Sequence, residues 1–99
     1  MASITSISLS GMNAAQVQLN ASAHNIANLN TEGFSRQEVS LTAQHDGGVS
    51  ASVGTASQPG ASLETDVVTQ LQAKNAFLAN LAVFKTQDRM AGTLLSLQA

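Results

Sequence analysis

Helical periodicity at both ends of the chain constrains its fold more than any other feature. From residue 3 to about residue 28, apolar residues mostly recur three, four or eight positions apart, which places them on one helix face. They are Ile4, Ile7, Ala15, Leu19, Ala23 and Ile26. A longer stripe, close to coiled-coil spacing, runs from residue 63 to about residue 97. It comprises Val67, Leu71, Leu78, Leu81, Phe84, Ala91 and Leu95. The sequence therefore predicts two long helices.

The segment between the helices has a different period. Apolar and polar residues alternate in two short runs, residues 39–44 and 49–53, on either side of "HDGG". Alternation around a glycine-containing turn predicts a β-hairpin, here within residues 34–55. Residues 54–62, "GTASQPGAS", have the composition of a linker. The predicted fold is mainly α, a single domain over residues 1–99 in which two antiparallel, coiled-coil-like helices are joined by a small hairpin and a linker.

The second helix is apolar over more of its circumference than one partner helix can cover. We expect the helix pair to have a core formed by Leu19, Ile26, Leu71, Leu78, Leu81, Phe84 and Leu95. Three apolar residues lie off this stripe and form a candidate subunit interface, namely Val68, Phe77 and Val83. Periodicity does not decide whether the neighbours are copies of the chain or other proteins.

Glycine and capping residues add local detail to the two helices. Gly11 weakens the first helix by roughly 1 kcal/mol relative to Ala. It either lets another backbone approach closely or marks the end of a frayed leading segment. Ser62 is a candidate N-cap of the second helix, and Glu64 and Asp66 lie in the first turn, where the helix dipole favours acids.

Low charge distinguishes the composition and excludes several classes of function. Charged residues make up 10% of the chain and the net charge is −2. Four basic residues and three phenylalanines, without Trp or Tyr, supply neither a phosphate-binding patch nor a base-stacking surface, so we expect no nucleic-acid binding. We expect no membrane insertion, because no apolar run reaches the roughly 18 residues of a span. The neutral polar surface fits a packed subunit and a low-charge soluble protein equally well.

The chain lacks any arrangement of residues typical of catalysis. Glu64 and Asp66 are two apart on a helix, so their side chains diverge. His24 and His45 lie in different predicted elements without cysteine, so no metal-ligand spacing is present. We therefore expect no enzymatic activity, no metal and no cofactor.

The segment "HNIANLNTEGFSRQ", residues 24–37, concentrates asparagines where the first helix should end. Asn28 or Asn30 can stop a helix, because Asn tolerates left-handed backbone and satisfies free carbonyls. Gly33 then supplies any positive φ that the turn requires, and Phe34 anchors its exit. Taken alone, this segment is equally consistent with a helix stop that has no further role.

Both ends of the chain resemble the bacterial flagellar axial proteins of the rod, hook and hook-associated family. The family's turn motif is matched by Asn25, Ala27, Asn28, Asn30, Thr31, Gly33 and Phe34. The segment from residue 63 onward resembles the family's C-terminal helix, through Gln72, Ala73, Ala76, Phe77, Ala79, Asn80, Thr93, Leu94 and Leu95. Together the two segments cover about two thirds of the chain, in the family's order. The middle, residues 35–62, is shorter than in typical rod proteins.

The resemblance implies a structural subunit of the flagellar axle, closest to a minimal rod-type protein, whose partners are itself or other axial proteins. It also implies export through the flagellar type III channel to the basal body, in agreement with an N-terminus that lacks a Sec-type signal. The alternative is a non-polymerising helical-hairpin adaptor or a shortened paralogue of the family. The position along the axle, in the rod, hook or junction, stays open.

Overall fold

The computed structural model describes residues 3–60 and 62–98, and its architecture confirms the predicted fold class. Helix α1 spans Ile4–Ala27, strand β1 spans Gln37–Ala43, strand β2 spans Val49–Thr55 and helix α2 spans Leu63–Gln98. The two strands form an antiparallel two-stranded sheet between two long helices. The described part of the chain is elongated, measuring 63 × 24 × 14 Å, because α2 runs nearly its full length.

Both helices begin with polar groups that satisfy their first turns. The Ser3 hydroxyl accepts a hydrogen bond from the Ser6 amide at 3.1 Å, which caps α1. At the start of α2, the Ser62 carbonyl accepts from the Asp66 amide at 3.0 Å, as expected of an N-cap residue. The Ser62 hydroxyl donates to the Thr65 hydroxyl at 2.8 Å instead of accepting from the backbone. Glu64 lies in the same first turn.

The hairpin pairs apolar residues with apolar residues, as the alternation predicts. Val39 lies opposite Val53, and Leu41 lies opposite Ala51. Pairing continues to Thr55, so the predicted linker begins at residue 56 and not at residue 54. Residues 44–48 form the turn, which is closed by a 2.9 Å hydrogen bond from the Gln44 amide to the Gly48 carbonyl.

Within the described part of the chain, the hairpin packs on α1, and no Cα atom of its strands lies within 8 Å of a Cα atom of α2. Near the turn, the Ser10 hydroxyl accepts from the Val49 amide at 3.1 Å and donates to the Ile7 carbonyl at 2.7 Å. Gly48 has φ of +92°, and a Cβ at this position would lie 2.7 Å from the Ser10 hydroxyl oxygen. The turn therefore needs glycine at this position both for its backbone angle and for its close approach to α1.

The buried side chains of the two helices are mostly small. The buried apolar residues are Met12, Ala14, Ala15, Ala21 and Ala73, and Ser8 and Ser22 are buried beside them. A Cβ on Gly11 would lie 2.6 Å from the Asn80 amide nitrogen, so Gly11 permits close approach to a side chain of α2. The sequence allowed either a close approach or a frayed segment at Gly11, and the structure shows a close approach. The neighbour is the side chain of Asn80 and not a backbone. The core formed by the chain alone is thin.

Among the described residues, the register of the helix pair leaves one end of α2 without a partner. Asn25 contacts Asp66 at one end of the pair, and Gly11 approaches Asn80 fourteen residues away along each helix. Extending this antiparallel register places Ser3 opposite residue 88. Residues 88–98, here called the overhang, therefore extend beyond α1 by roughly 15 Å. The overhang carries the exposed side chains of Met90, Leu94, Leu95 and Leu97.

Candidate functional site

A buried polar group joins the end of α1 to the starts of β1 and α2. The Asn25 side chain accepts from the Gln37 amide at 2.8 Å and donates to the Gln37 carbonyl at 3.0 Å. Its amide nitrogen also lies 3.2 Å from Asp66 Oδ1. Because Asn25 is only 3% exposed, one side chain of the predicted motif ties three elements together inside the protein.

Asp66 and Arg36 complete this group, which we call the polar latch, composed of Asn25, Arg36, Asp66 and the backbone of Gln37. Asp66 is also 3% exposed. Arg36 Nη2 forms an ion pair with Asp66 Oδ1, and Arg36 Nε lies 3.4 Å from Oδ2. The hydrogen bond from Arg36 to Asp66, reinforced by the charges of Asp66 and Glu38, raises the pKa of Arg36, with burial acting in the opposite direction. The carboxylate charge is thus neutralised where it is buried.

The elbow, residues 28–36, follows α1 directly and has its own hydrogen bonds. Asn28 ends the helix by donating from its side chain to the His24 carbonyl at 2.9 Å, while its Oδ1 accepts from the Thr31 hydroxyl at 3.2 Å. The His24 and Phe34 rings pack together, with their centroids 5.3 Å apart. Gly33 adopts φ of +74°, as the turn prediction requires.

One part of the turn prediction is wrong. Among the described residues, no residue other than glycine has a positive φ, so neither Asn28 nor Asn30 uses left-handed backbone to stop the helix. The other part is confirmed, because Asn28 is the C-cap of α1 and its side chain satisfies the free His24 carbonyl. Asn30, Thr31 and the helix-terminal Ala27 are exposed, so these three motif positions present their side chains to the solvent.

The structure divides the predicted helix-pair core into two groups. Leu19, Ile26, Leu81 and Phe84 are half-buried. Leu71, Leu78 and Leu95 are 56%, 49% and 69% exposed, so the prediction that they pack in the helix pair is wrong for the single chain. Leu95 lies in the overhang, where α1 has already ended.

Leu71 and Leu78 are exposed for a different reason, which is the rotation of α2 about its own axis. Ala73, at 1% exposure, is the most buried residue of α2. At about 100° per residue, Leu71 and Leu78 point roughly 140–160° away from it. The inner face of α2, which faces α1, comprises Asp66, Ala73, Phe77, Asn80 and Phe84. The apolar stripe predicted from the sequence begins on the face of α2 opposite to Ala73, so its first residues point away from α1.

The candidate interface residues are placed in two different environments. Val68 and Val83 are exposed, whereas Phe77 is half-buried on the inner face, four residues after Ala73. A second exposed surface consists of Val67, Leu71 and Leu78, here called the outer stripe. The outer stripe and the overhang are two groups of exposed apolar side chains on α2, and exposed apolar patches mark interaction sites.

Sequence reasoning did not predict the polar latch. It assigned Asp66 to the helix dipole and treated Arg36 only as one of a few basic residues. No local signal identifies this pair, because Arg36 and Asp66 lie thirty residues apart and belong to different elements.

The described residues contain no group of three potential metal ligands, and none of their helices is long and apolar enough to cross a membrane. Residues 6–34 match the family described as flagella basal body rod protein. The match covers most of α1 and the elbow up to Phe34, and it confirms the resemblance to the flagellar rod family. No curated protein matches the chain. This family is structural and not enzymatic, so its match indicates a structural component of the flagellar basal body.

Proposed function

We propose that this chain is a structural subunit of the flagellar axial structure, which assembles by packing the exposed apolar surfaces of α2 against neighbouring subunits. The observation that carries the proposal is the contrast between a core of alanines and one methionine and the leucines left outside it. Burying a leucine fully contributes about 1.5–3 kcal/mol, so a half-exposed leucine such as Leu71 or Leu78 still has about half of that to gain.

The partners in this proposal are copies of the chain or other axial proteins. Val68 and Val83 are exposed on other sides of α2 and supply further apolar contacts. At the elbow, the exposed Asn30 offers amide donors and acceptors to an adjacent subunit. The overhang adds a separate contact at the far end of α2. The neutral surface favours such packing, because few charges need to be desolvated.

We also propose that the chain acts in the basal body and reaches it by flagellar export. The family match supports the basal body as the location. We infer that the chain leaves the cell through the flagellar type III export channel. Whether it occupies the rod or the hook is an outcome of the assembly experiment below.

The decisive experiment complements a strain that lacks the gene with Leu71→Gln/Leu78→Gln. Both side chains are exposed, so the isolated variant should retain the helical circular dichroism and melting temperature of the wild type. It should fail to restore swimming, and basal bodies should stall at one stage, which identifies the position along the axle. The matched control is Gln72→Ala/Asn75→Ala, which changes two exposed polar residues of the same helix and should restore swimming. Normal swimming with the leucine variant would refute packing through the outer stripe.

The competing function is a non-polymerising adaptor or shortened paralogue. The short connection between α1 and α2 favours this alternative, because the hairpin is the only element between the two helices within the described residues. Sedimentation of the purified protein over a range of concentrations separates the two. Concentration-dependent oligomers and recovery of the protein outside the cytoplasm support the axial subunit. A monomer at all concentrations, together with a deletion strain that swims with a complete axle, supports the paralogue.

A further inference from the structure

The hairpin has two outer edges, because among the described residues its strands pair only with each other. At the turn, the Gln44 amide donates to the Gly48 carbonyl. At the base, the Ala56 amide donates to the Arg36 carbonyl. In the antiparallel register of the strands, these bonds direct the backbone groups of even-numbered residues inward and those of odd-numbered residues outward. Each edge therefore presents a row of amides and carbonyls that matches the backbone of an added strand.

The edge of β1 is partly closed by neighbouring side chains. The Asn25 side chain bonds both the amide and the carbonyl of Gln37, as the peptide of a partner strand would. The cleft beside this edge is lined by three charged residues, Arg36, Glu38 and Asp66. Charged groups at a sheet edge oppose pairing with another chain. The edge of β1 is therefore a protected edge.

The edge of β2 lacks this protection. At its turn end, Ser10 accepts from the Val49 amide. Beyond that point, within the described part of the chain, nothing outside the hairpin bonds to the backbone of Ala51, Val53 or Thr55. The seven residues of β2 include no charged residue and no proline, and their pairing with β1 has no bulge. Natural edge strands commonly carry such features to prevent pairing, so their absence marks the edge of β2 as open to a further strand.

A groove of about 280 Å³ lies beside this open edge, between β2 and α1. Its apolar lining includes Ala51 of β2 and Ala14 and Val17 of α1. Val53 follows Ala51 on the same face of the strand and is 53% exposed. A strand added to β2 would place every second side chain on the α1 side of the sheet, next to the groove. The edge and the groove together fit a strand with small apolar residues at alternate positions.

The sequence of β2 itself has this pattern, "VSASVGT". Antiparallel pairing of two copies of β2 about Ser52 places Val53 of each copy opposite Ala51 of the other. The exposed Val53 side chain of one copy then lies next to the groove of the other copy. No like charges meet in this pairing, because β2 carries none. The two contacts are equivalent, as the two-fold symmetry of homodimers requires.

We propose that two copies of the chain associate through the open edges of β2 and join their hairpins into one four-stranded antiparallel sheet. Ala51 and Val53 would supply about four hydrogen bonds between the copies, since each hydrogen-bonded pair of an antiparallel ladder exchanges two. Two-fold pairing closes at two copies, so it gives a dimer and not a filament. The dimer goes beyond the proposed function and does not depend on it, because β2 lies outside the outer stripe and the overhang.

The chain contains no cysteine, so one introduced thiol reports this pairing. Ser52 is exposed, so Ser52→Cys should fold like the wild type. In the dimer the two Cα atoms at position 52 form a non-hydrogen-bonded pair about 4.5 Å apart, within the range of a disulfide. Under mild oxidation Ser52→Cys should form covalent dimers at least about tenfold faster than a control thiol, because pairing raises the local concentration of the two thiols.

The matched control is Ser40→Cys. Ser40 lies directly opposite Ser52 in the hairpin and is also exposed, but it belongs to the strand with the protected edge. Equal rates of covalent dimer formation for the two thiols overturn the proposal. Faster coupling of Ser40→Cys also overturns it, because the copies would then meet through β1.

A charge on the open edge tests the same pairing without a thiol. Sedimentation equilibrium is measured in the Leu71→Gln/Leu78→Gln variant, so that association through the outer stripe does not contribute. This protein should form dimers, and adding Val53→Lys should raise the dissociation constant at least about tenfold, because two like charges would face each other across the pair. Adding Leu41→Lys instead should leave the constant unchanged, since Leu41 is similarly exposed at 48% but lies on β1.

The outcomes separate this proposal from the proposed function. A dimer that persists with Val53→Lys, or a protein without Val53→Lys that stays monomeric at all concentrations, overturns pairing through β2 and leaves packing through α2 untested by this experiment but open to the swimming assay above. Circular dichroism checks that Val53→Lys keeps the wild-type helix content. Val53→Lys added to Ser52→Cys should also reduce the coupling rate to that of Ser40→Cys, and an unchanged rate would contradict the proposal.

Discussion

Replacing Asn25 by alanine should destabilise the protein more than any other change to the asparagine-rich turn. The substitution removes two hydrogen bonds to the Gln37 backbone and one to Asp66. A neutral hydrogen bond contributes about 1 kcal/mol net, and one to a charged group about 1.5–3 kcal/mol. Water can partly replace the bonds at Gln37, which is half-buried. We therefore expect a loss of about 3 kcal/mol in the free energy of unfolding.

The matched control is Asn30→Ala, five residues along the same segment. Asn30 is exposed, so its replacement should change stability by less than about 0.5 kcal/mol. Urea unfolding followed by helical circular dichroism measures both variants, since the chain has no tryptophan to report by fluorescence. All samples are compared at one low protein concentration, because self-association would stabilise the folded state.

The two asparagine variants give a direct test of the latch. If Asn25→Ala unfolded at the same urea concentration as Asn30→Ala, the latch would contribute nothing measurable to stability. The cluster of asparagines would then be only a helix stop. A large loss in both variants would instead mean that the exposed elbow holds the fold, contrary to the burial of Asn25 and the exposure of Asn30.

Three further predictions follow from backbone angle, packing and charge. Gly33→Val should lower the free energy of unfolding by more than about 1–2 kcal/mol, because φ at Gly33 is +74°, and Gly33→Asn should lower it by less. Equal stability of both variants and the wild type would contradict this prediction. Gly11→Ala should stabilise the protein by about 1 kcal/mol only in an Asn80→Ala background, where the overlapping side chain is absent. Thermal unfolding of the wild type, the two single variants and the double variant would measure this. The pKa of Arg36 is raised in the folded protein. The stability that its ion pair contributes is therefore fully present below the pKa of the unfolded chain and is lost only as the pH rises through the higher pKa of the folded state. Arg36→Lys, with an ordinary lysine pKa of about 10.4, should therefore lose stability relative to the wild type from about pH 10 upward. Parallel stability curves for these two proteins between about pH 7 and 11 would contradict it.

Much of the fold follows from local sequence, and the two helices illustrate why. Their lengths and ends depend on propensity, spacing and caps within a few residues, all of which can be read along the chain. The hairpin follows equally from alternation around Gly47 and Gly48, because register in a short hairpin is set by its turn. Gly33 was identified for its positive φ, a purely local requirement.

The candidate site was harder to predict, since its parts are distant in sequence. Asn25 was recognised within a motif, but its partner Asp66 lies forty-one residues away. Leu71 and Leu78 were assigned to the core because the periodicity of apolar residues identifies a stripe without specifying what the stripe faces. Residues on that stripe can face α1 or a neighbouring subunit, and both arrangements give the same spacing.

Local periodicity thus determines that this chain forms two long helices and a hairpin, because helix and strand patterns depend on neighbours in sequence. Tertiary structure alone decided the rotation and register of α2 on α1. The buried carboxylate of Asp66 contacts Arg36 and Asn25, and Gly11 lies directly against Asn80, and these contacts between distant residues set which face of α2 lies on α1. As a result, Leu71 and Leu78 lie on the surface, where the proposed function needs them.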